Sequence, residues 1–311
     1  MPPMATTATR AEWLIFLALG FMWGSSYLFI KLAVDSFGTF TLVALRLLIG
    51  AATLWIVLRA SRTPLPRERR IYGHLIVMAV INIVLPFSLI TWAEQSVDSA
   101  LAAILNSSVP LFVIVIAPMF LPEEPIRVNG IVGLAVGFIG ILVIVSPGLV
   151  GATGNIAGEL ALLGSSLTYA IGNVYNRRNV RGLPPLIPAV FQVTFALVIV
   201  GLLALVFERP WETATPDLQA WFSVAWLGIL GSAVAYLLYF RLLGRWGATR
   251  TSLVAYLLPV VGIVLGFIVL QEPIDGTLIL GTALVIGGVA LVNGRWGRRR
   301  LFARVPPVEA T

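Results

Sequence analysis

Cysteine is absent from the sequence, and histidine occurs only once, as His74. These absences exclude a disulfide framework, a thiolate nucleophile and the common cysteine and histidine metal sites. The sequence also lacks H-E-x-x-H and G-x-x-x-x-G-K-[ST], the motifs of a zinc hydrolase and of a nucleotide-driven pump. We therefore expect no metal, no cofactor and no enzymatic activity.

Charged residues are also scarce. They make up 11% of the 311 residues, whereas 59% are hydrophobic and the mean hydropathy is +0.96. A soluble domain has about half apolar and a quarter charged residues, so a soluble fold is excluded. Ten membrane-spanning helices would use about 200 residues, which leaves no room for a separate soluble domain.

Apolar runs of spanning length are bounded by charged residues, proline or glycine. They cover residues 13–34, 40–58, 71–92, 99–120, 126–146, 157–176, 186–207, 218–241, 249–270 and 277–294. Each run is continuous for about 20 residues, whereas the strands of a membrane barrel alternate over about 10. The sequence therefore predicts an all-α integral membrane protein with ten transmembrane helices.

The arginines predict the orientation, because positively charged loops stay on the cytoplasmic side. If the N-terminus is inside, the inner loops contain most of the arginines and the outer loops contain only Arg209. We expect both termini to be cytoplasmic. This topology also accounts for the net charge of +7, so no nucleic-acid partner is expected.

The chain repeats itself after about 148 residues. Residues 109–126 and 258–274 are both apolar, contain proline and end in an E-P-I turn, and the helices that follow each of them are also similar. Five helices per half is an odd number, so the two halves insert in opposite orientations. Inverted repeats are typical of transporters, with the substrate site near the membrane midplane between the halves. A duplicated channel or scaffold is the alternative.

The predicted boundaries follow from this repeat. They are a cytoplasmic tail at 1–12, a first five-helix repeat at 13–146, a periplasmic linker at 147–156, a second five-helix repeat at 157–294 and a basic cytoplasmic tail at 295–311.

Several short motifs point to a known family. They are W-G-S-S-Y at 23–27, K-L-A at 31–33, A-L-R at 44–46 and the paired E-P-I turns. In this order and spacing they resemble the drug/metabolite transporter superfamily, in particular its ten-helix group with two EamA-type repeats. The resemblance covers residues 13–294.

The resemblance implies an exporter or facilitator of small metabolites, often amino acids, in the bacterial inner membrane. It also implies a central cavity lined by helices one, three, four, six, eight and nine, with helices five and ten packed against each other. It does not identify the substrate.

Polar and aromatic side chains at mid-membrane depth normally face the bundle or a wet cavity. By this criterion the expected substrate-binding residues are Trp23, Ser26, Tyr27, Met78, Asn82, Asn106, Ser107, Tyr169, Asn173, Tyr236, Tyr239 and Tyr256. Such a cavity is rich in aromatic rings and amides and lacks a fixed acid or base, which suits a zwitterionic or moderately apolar substrate. For the first helix, the alternative is a close helix contact that small residues allow.

Three prolines, Pro86, Pro110 and Pro259, are expected hinges or static kinks. Lys31, Arg46 and His74 are candidates for coupling or for capture of a substrate carboxylate. The alternatives are that the two cations extend toward the membrane surface or pair with acids, and that His74 is an interfacial residue.

The function predicted from the sequence is a secondary transporter that exports small metabolites, with amino acids favoured, by alternating access. The alternatives are another metabolite or drug class, or a channel-like facilitator. The expected partners are a small-molecule substrate and the lipid bilayer, and the chain is a monomer or a homodimer.

Overall fold

The computed structural model describes residues 9–121, 128–149, 155–180, 182–210 and 216–293. These residues form helices and no strand, in agreement with the predicted all-α fold. Residues 1–8 of the predicted N-terminal tail, the predicted C-terminal tail, the first E-P-I turn and residues 150–154 of the predicted linker lie outside the described residues.

Ten helical segments follow one another along the described chain. They are α1 (Arg10–Phe37), α2 (Thr39–Ser61), α3 (Arg69–Ala93), α4 (Ser99–Phe120), α5 (Val128–Leu149), α6 (Ile156–Asn179), α7 (Leu186–Glu208), α8 (218–251), α9 (252–270) and α10 (Gly276–Asn293).

Seven of these segments, α1 to α5, α7 and α8, are long and apolar enough to cross a membrane. α9 and α10 contain the shorter apolar helices Val254–Leu270 and Gly276–Leu291. α6 has the length of a membrane span but carries more polar residues, among them Glu159, Ser165 and Asn173. The chain is a multi-pass helical membrane protein.

α8 is longer than the sequence predicted. The predicted eighth span ends at residue 241 and the ninth begins at 249, but the helix Ala235–Thr251 continues through the expected loop. This stretch contains leucine, alanine and arginine, which favour helices, and no proline to interrupt it. The prediction of a loop at this position was wrong.

The three central prolines each follow an irregular stretch of helix. A π-helix at Val80–Val84 precedes Pro86 in α3, and a 3₁₀ helix at Ser252–Tyr256 precedes Pro259 in α9. In α4, a turn separates the helix Ser99–Asn106 from the helix that contains Pro110. Proline lacks the N–H that the preceding turn needs, so the regular helix is disturbed there. The helix is therefore irregular just before each proline that is predicted to be a hinge or kink.

The helix contacts have a twofold pattern. α1 packs against α9 as α6 packs against α4, and α1 packs against α8 as α6 packs against α3. α2 packs against α7, and α5 packs against α10. If each helix of the first half is replaced by its counterpart in the second half (α1 by α6, α2 by α7 and so on), and the reverse, each of these contacts becomes another contact in the set or remains the same contact. This is the arrangement expected of a five-helix repeat.

α5 and α10 form a close pair, as the family resemblance implied. A methyl group added at Gly140 would lie 2.8 Å from the Gly281 carbonyl oxygen and 2.7 Å from the Val285 nitrogen. At Gly288 it would lie 2.5 Å from the Gly137 nitrogen. The two backbones are in contact because glycines occupy both faces, and this contact lies within one molecule.

Two large clusters of buried apolar side chains divide the rest of the bundle. One lies around α1, α4 and α6, and the other lies between α2, α3 and α7. Tyr169 of α6 packs against both clusters.

Candidate functional site

A buried hydrogen-bond cluster centres on the Asn106 side chain. Its Nδ2 donates to the Tyr27 hydroxyl at 2.7 Å. Its Oδ1 accepts from the Ser165 hydroxyl at 3.0 Å and from the Ser166 hydroxyl at 3.1 Å. These bonds join α1, α4 and α6, and so connect both halves of the protein.

The break in α4 holds Asn106 in this position. The helix Ser99–Asn106 ends there, and the Ser107 and Ser108 hydroxyls donate to the carbonyl oxygens of Ile104 and Leu105 at 2.7 and 2.6 Å. These bonds satisfy carbonyl groups at the end of the helix. Ser107, which was expected to bind substrate, uses its hydroxyl in this way.

Aromatic rings meet at Trp23, one turn of α1 before Tyr27. The Trp23 ring lies 5.3 Å from the Tyr239 ring and 6.3 Å from the Tyr236 ring, both on α8. The structure thus brings together three of the predicted aromatic residues. They provide an apolar surface with polar edges, which suits a small amphipathic ligand.

The small residues of α1 allow a neighbouring helix to pack closely against it. Added methyl groups would meet Leu257 at Gly20 and Val261 at Gly24, so this face packs closely against α9. The Ser26 hydroxyl donates to the Met22 carbonyl oxygen at 2.9 Å within its own helix. The alternative of a close helix contact therefore holds for the glycines.

Arg46 lies inside the bundle, with 3% of its surface exposed. Its guanidinium carbon lies 4.2 Å from the centre of the Phe87 ring, and its Nη2 lies 3.4 Å from the Ser232 hydroxyl. Its Nε has no hydrogen-bond partner among the described residues. Arg46 does not extend to the membrane surface, and its described contacts do not include Asp35 or Asp98. The structure therefore holds a fixed cation inside the bundle, whereas the cavity expected from the sequence has no fixed acid or base.

Lys31 holds the turn between α3 and α4. Its Nζ donates to the carbonyl oxygens of Glu94 and Val97 at 2.8 and 3.0 Å. Its hydrogen bonds are to backbone, not to Asp35 or Asp98. This is a structural role, although not the one expected.

Glu94, in the same turn, is fully buried, and neither of its carboxylate oxygens has a hydrogen-bond partner among the described residues. Burial raises its pKa well above the ordinary value, an effect that nearby Lys31 opposes. The sequence analysis did not select Glu94 as a site residue. A lone acid directly after an apolar run gives no sign of whether it is buried.

Two glutamates of the second half bind helix N-termini of the first half. Glu208 accepts from the backbone nitrogens of Phe40 and Thr41, at 2.8 and 2.7 Å, at the start of α2. Glu272 accepts from those of Ser99 and Ala100, at 2.7 and 3.0 Å, at the start of α4. Carboxylates are favourable there because the N-terminal N–H groups have no partner within the helix. The sequence analysis missed both contacts.

The other candidates lie along α3, α6 and α9. Met78 is buried, and the Asn82 amide lies against Gly172 of α6. His74 Nδ1 lies 2.8 Å from the Tyr175 hydroxyl, which joins the ends of α3 and α6. Asn173 is exposed, so the structure does not bring it into the buried cluster. Tyr256 packs beside the apolar cluster around α1, α4 and α6.

Comparison with known proteins identifies the family. The EamA-like transporter family matches residues 10–146 and 156–294, one repeat in each half. The chain belongs to the EamA-like transporter family. It is a transporter and not an enzyme, in agreement with the expectation from the sequence.

Similar proteins extend over nearly the whole chain. The uncharacterized transporter YoaV of Bacillus subtilis is 24% identical, over 92% of this chain and 97% of its own. The uncharacterized inner membrane transporter YedA of Escherichia coli K12 is 27% identical, over 89% and 88%. A protein of Streptantibioticus cattleyicolor named as a probable terminal-alkyne amino-acid exporter is 26% identical, over 96% and 98%.

A solved crystal structure has the same fold. It superposes with a TM-score of 0.65 at 21% identity, and the match covers 91% of this chain and 96% of that one. This similarity supports the arrangement of the helices.

Proposed function

We propose that this transporter exports small metabolites, with amino acids favoured, across the bacterial inner membrane by alternating access of its two inverted halves. Both termini are cytoplasmic in this proposal. The observation that carries it is the buried polar cluster of Asn106, Tyr27 and Ser165, which joins both halves beside the break in α4.

The chemistry around this cluster suits an amino acid. Arg46 is a buried cation whose Nε is unpaired among the described residues, and guanidinium groups bind carboxylates well. Trp23, Tyr236 and Tyr239 provide apolar contact for a side chain. The substrate carboxylate is accordingly assigned to Arg46.

The interrupted helices support a carrier over a channel. α4 and α9 are repeat partners, and each loses its regular helix before Pro110 or Pro259. Corresponding breaks in two repeats are typical of carriers that close on alternate sides of one site. The exporter of S. cattleyicolor supports an amino-acid substrate, and the arginine-rich inner loops support the orientation.

Counterflow tests this proposal. Purified protein is reconstituted in liposomes loaded with unlabelled amino acid, and uptake of radiolabelled amino acids from a panel is measured. We expect uptake of some members of the panel, because a carrier exchanges substrate across the membrane and an open pore does not. Trp23→Ala and Arg46→Lys should each reduce the rate at least tenfold.

Trp221→Ala is the matched control, because Trp221 packs against Phe37 and is half exposed. It should transport as the wild type does. Absence of uptake for every amino acid would overturn the proposed substrate class. Equal loss in Trp23→Ala and Trp221→Ala would show that the site is not at Trp23.

A further inference from the structure

Glu94 is a buried carboxylate without a hydrogen-bond donor among the described residues. It is fully buried, and both of its oxygens are inaccessible and unpaired in the part of the chain that the structure describes. An ionised carboxylate in such a place is costly unless a proton or a cation neutralises it. The Glu94 carboxylate therefore requires a bound proton or a nearby cation.

The charged groups around Glu94 come from several elements. Lys31 of α1 and Arg46 of α2 attract its charge, while Glu272 beyond α9 repels it, and Tyr27 is also close enough to interact. Glu159 begins α6, which packs against α3. Lys31 directs its hydrogen bonds to two backbone carbonyls, and neither Lys31 nor Arg46 donates to the Glu94 carboxylate.

Arg46 is a buried cation that also lacks a hydrogen-bond partner for one of its nitrogens among the described residues. In that part of the chain the unpaired nitrogen is Nε, and the charge of Arg46 attracts that of Glu94. A buried cation and a buried anion that do not bond each other have the charges that complement those of one zwitterion. An α-amino acid carries the required carboxylate and ammonium groups.

We infer that Glu94 binds the ammonium group of the substrate and, in its absence, a proton, so that one amine and one proton compete for the same carboxylate. The inference rests on the proposed function for the identity of the amine. The proton step is reversible addition of H⁺ to one carboxylate oxygen, and no other bond changes. Release of the amine on one side is followed by uptake of a proton there, which exchanges protons for substrate.

The proton site is tested without substrate, by infrared spectroscopy of the purified protein titrated with pH. The wild type should show the C=O stretch of a protonated carboxyl that disappears as the pH rises. Glu94→Gln should lack this band, and Glu159→Gln, which removes another buried carboxyl, should retain it. A band that is unchanged in Glu94→Gln, or no titrating band in the wild type, overturns the proton site.

The amine is tested by counterflow of the radiolabelled amino acid that the panel identifies. In the wild type the apparent KM should rise by about tenfold for each pH unit below the pKa of Glu94, with an unchanged maximal rate, because proton and amine compete. In Glu94→Gln the KM should be high and independent of pH. Glu94→Asp keeps the carboxyl and should restore the pH dependence.

A wild-type KM that does not change with pH overturns the competition even if the infrared band is present. If no amino acid is transported, the proposed function fails, and the infrared titration still decides whether Glu94 binds a proton. Thermal unfolding in detergent shows whether each variant is folded.

Discussion

The α5–α10 pair and the cluster around Asn106 use buried space in opposite ways. Between α5 and α10, glycines allow backbone to touch backbone, and an added methyl at Gly288 would overlap Gly137. Around Asn106, side chains from three helices meet through hydrogen bonds, and nearby Arg46 and Glu94 have unpaired atoms among the described residues. The first region is filled, and the second has polar groups that a ligand can use.

This difference indicates which part of the molecule moves. A close glycine contact has one good packing, because displacement loses many short-range contacts at once. A hydrogen-bond cluster at broken helices can exchange partners at smaller cost. We therefore expect α5 and α10 to form a fixed support, while α4 and α9 change shape at Pro110 and Pro259.

The largest expected effect comes from filling the glycine contact. Gly288→Ala should lower the free energy of unfolding by about 3 kcal/mol, because the methyl group meets backbone atoms that cannot yield. Gly287→Ala is the neighbouring control, since nothing lies within 4 Å of an added methyl there. Thermal unfolding in detergent measures both. Similar unfolding temperatures for the two variants would contradict the close contact.

The second-largest effect is expected at Asn106, and a control variant distinguishes a loss of stability from a loss of transport. Asn106→Leu should cost about 2 kcal/mol, because the Tyr27, Ser165 and Ser166 hydroxyls lose their hydrogen bonds to the Asn106 amide, and should abolish counterflow. Asn129→Leu makes the same change in α5, where the Asn129 amide donates to the Leu291 carbonyl oxygen. It should lower stability but leave counterflow per folded molecule unchanged. Transport by Asn106→Leu at the wild-type rate would show that the Asn106 cluster is not part of the substrate site.

A smaller effect is expected from the glutamates that bind helix N-termini. Glu272→Ala should cost about 1 kcal/mol, because the N–H groups of Ser99 and Ala100 lose their acceptor. Glu272→Gln keeps one acceptor oxygen and should cost less. Unfolding temperatures of the three proteins test this order, and equal stability of all three would show that the cap contributes nothing.

The smallest effect concerns Asp275, an exposed residue that caps α10. Its carboxylate accepts from the Leu278 nitrogen and the Thr277 hydroxyl, each at 2.7 Å, and these bonds lower its pKa. A lowered folded-state pKa means that the stabilisation is present above the ordinary pKa and is lost as the pH falls through the lowered value. Asp275→Asn should therefore lower stability by a few tenths of a kcal/mol at neutral pH and not in acid. A difference that is the same at neutral and acidic pH would contradict this.

Much of the architecture could be predicted from the sequence, because a bilayer allows few solutions. A continuous apolar run must form a helix, and the arrangement of such runs, the repeated E-P-I turns and the central prolines predict the ten segments and three kinks. The loop expected between α8 and α9 was wrong, because arginine and glycine near a membrane surface do not by themselves end a helix. The inverted orientation and the cytoplasmic termini stay predictions.

The site was predicted only in part. Tyr27 and Asn106 were selected because polar side chains at mid-membrane depth must find partners, and the structure joins them directly. Asn173 was selected by its helical spacing, but it is exposed. Spacing places residues on one face of a helix without saying which neighbour that face meets.

The sequence by itself determined that this chain is helical, spans a membrane several times and consists of two similar halves, since these properties depend on composition and on patterns along the chain. Only the tertiary structure decided that Arg46 and Glu94 are buried and that Glu208 and Glu272 bind helices of the other half. Burial and pairing of a charge depend on residues distant in sequence that the fold brings together, and no local pattern encodes them.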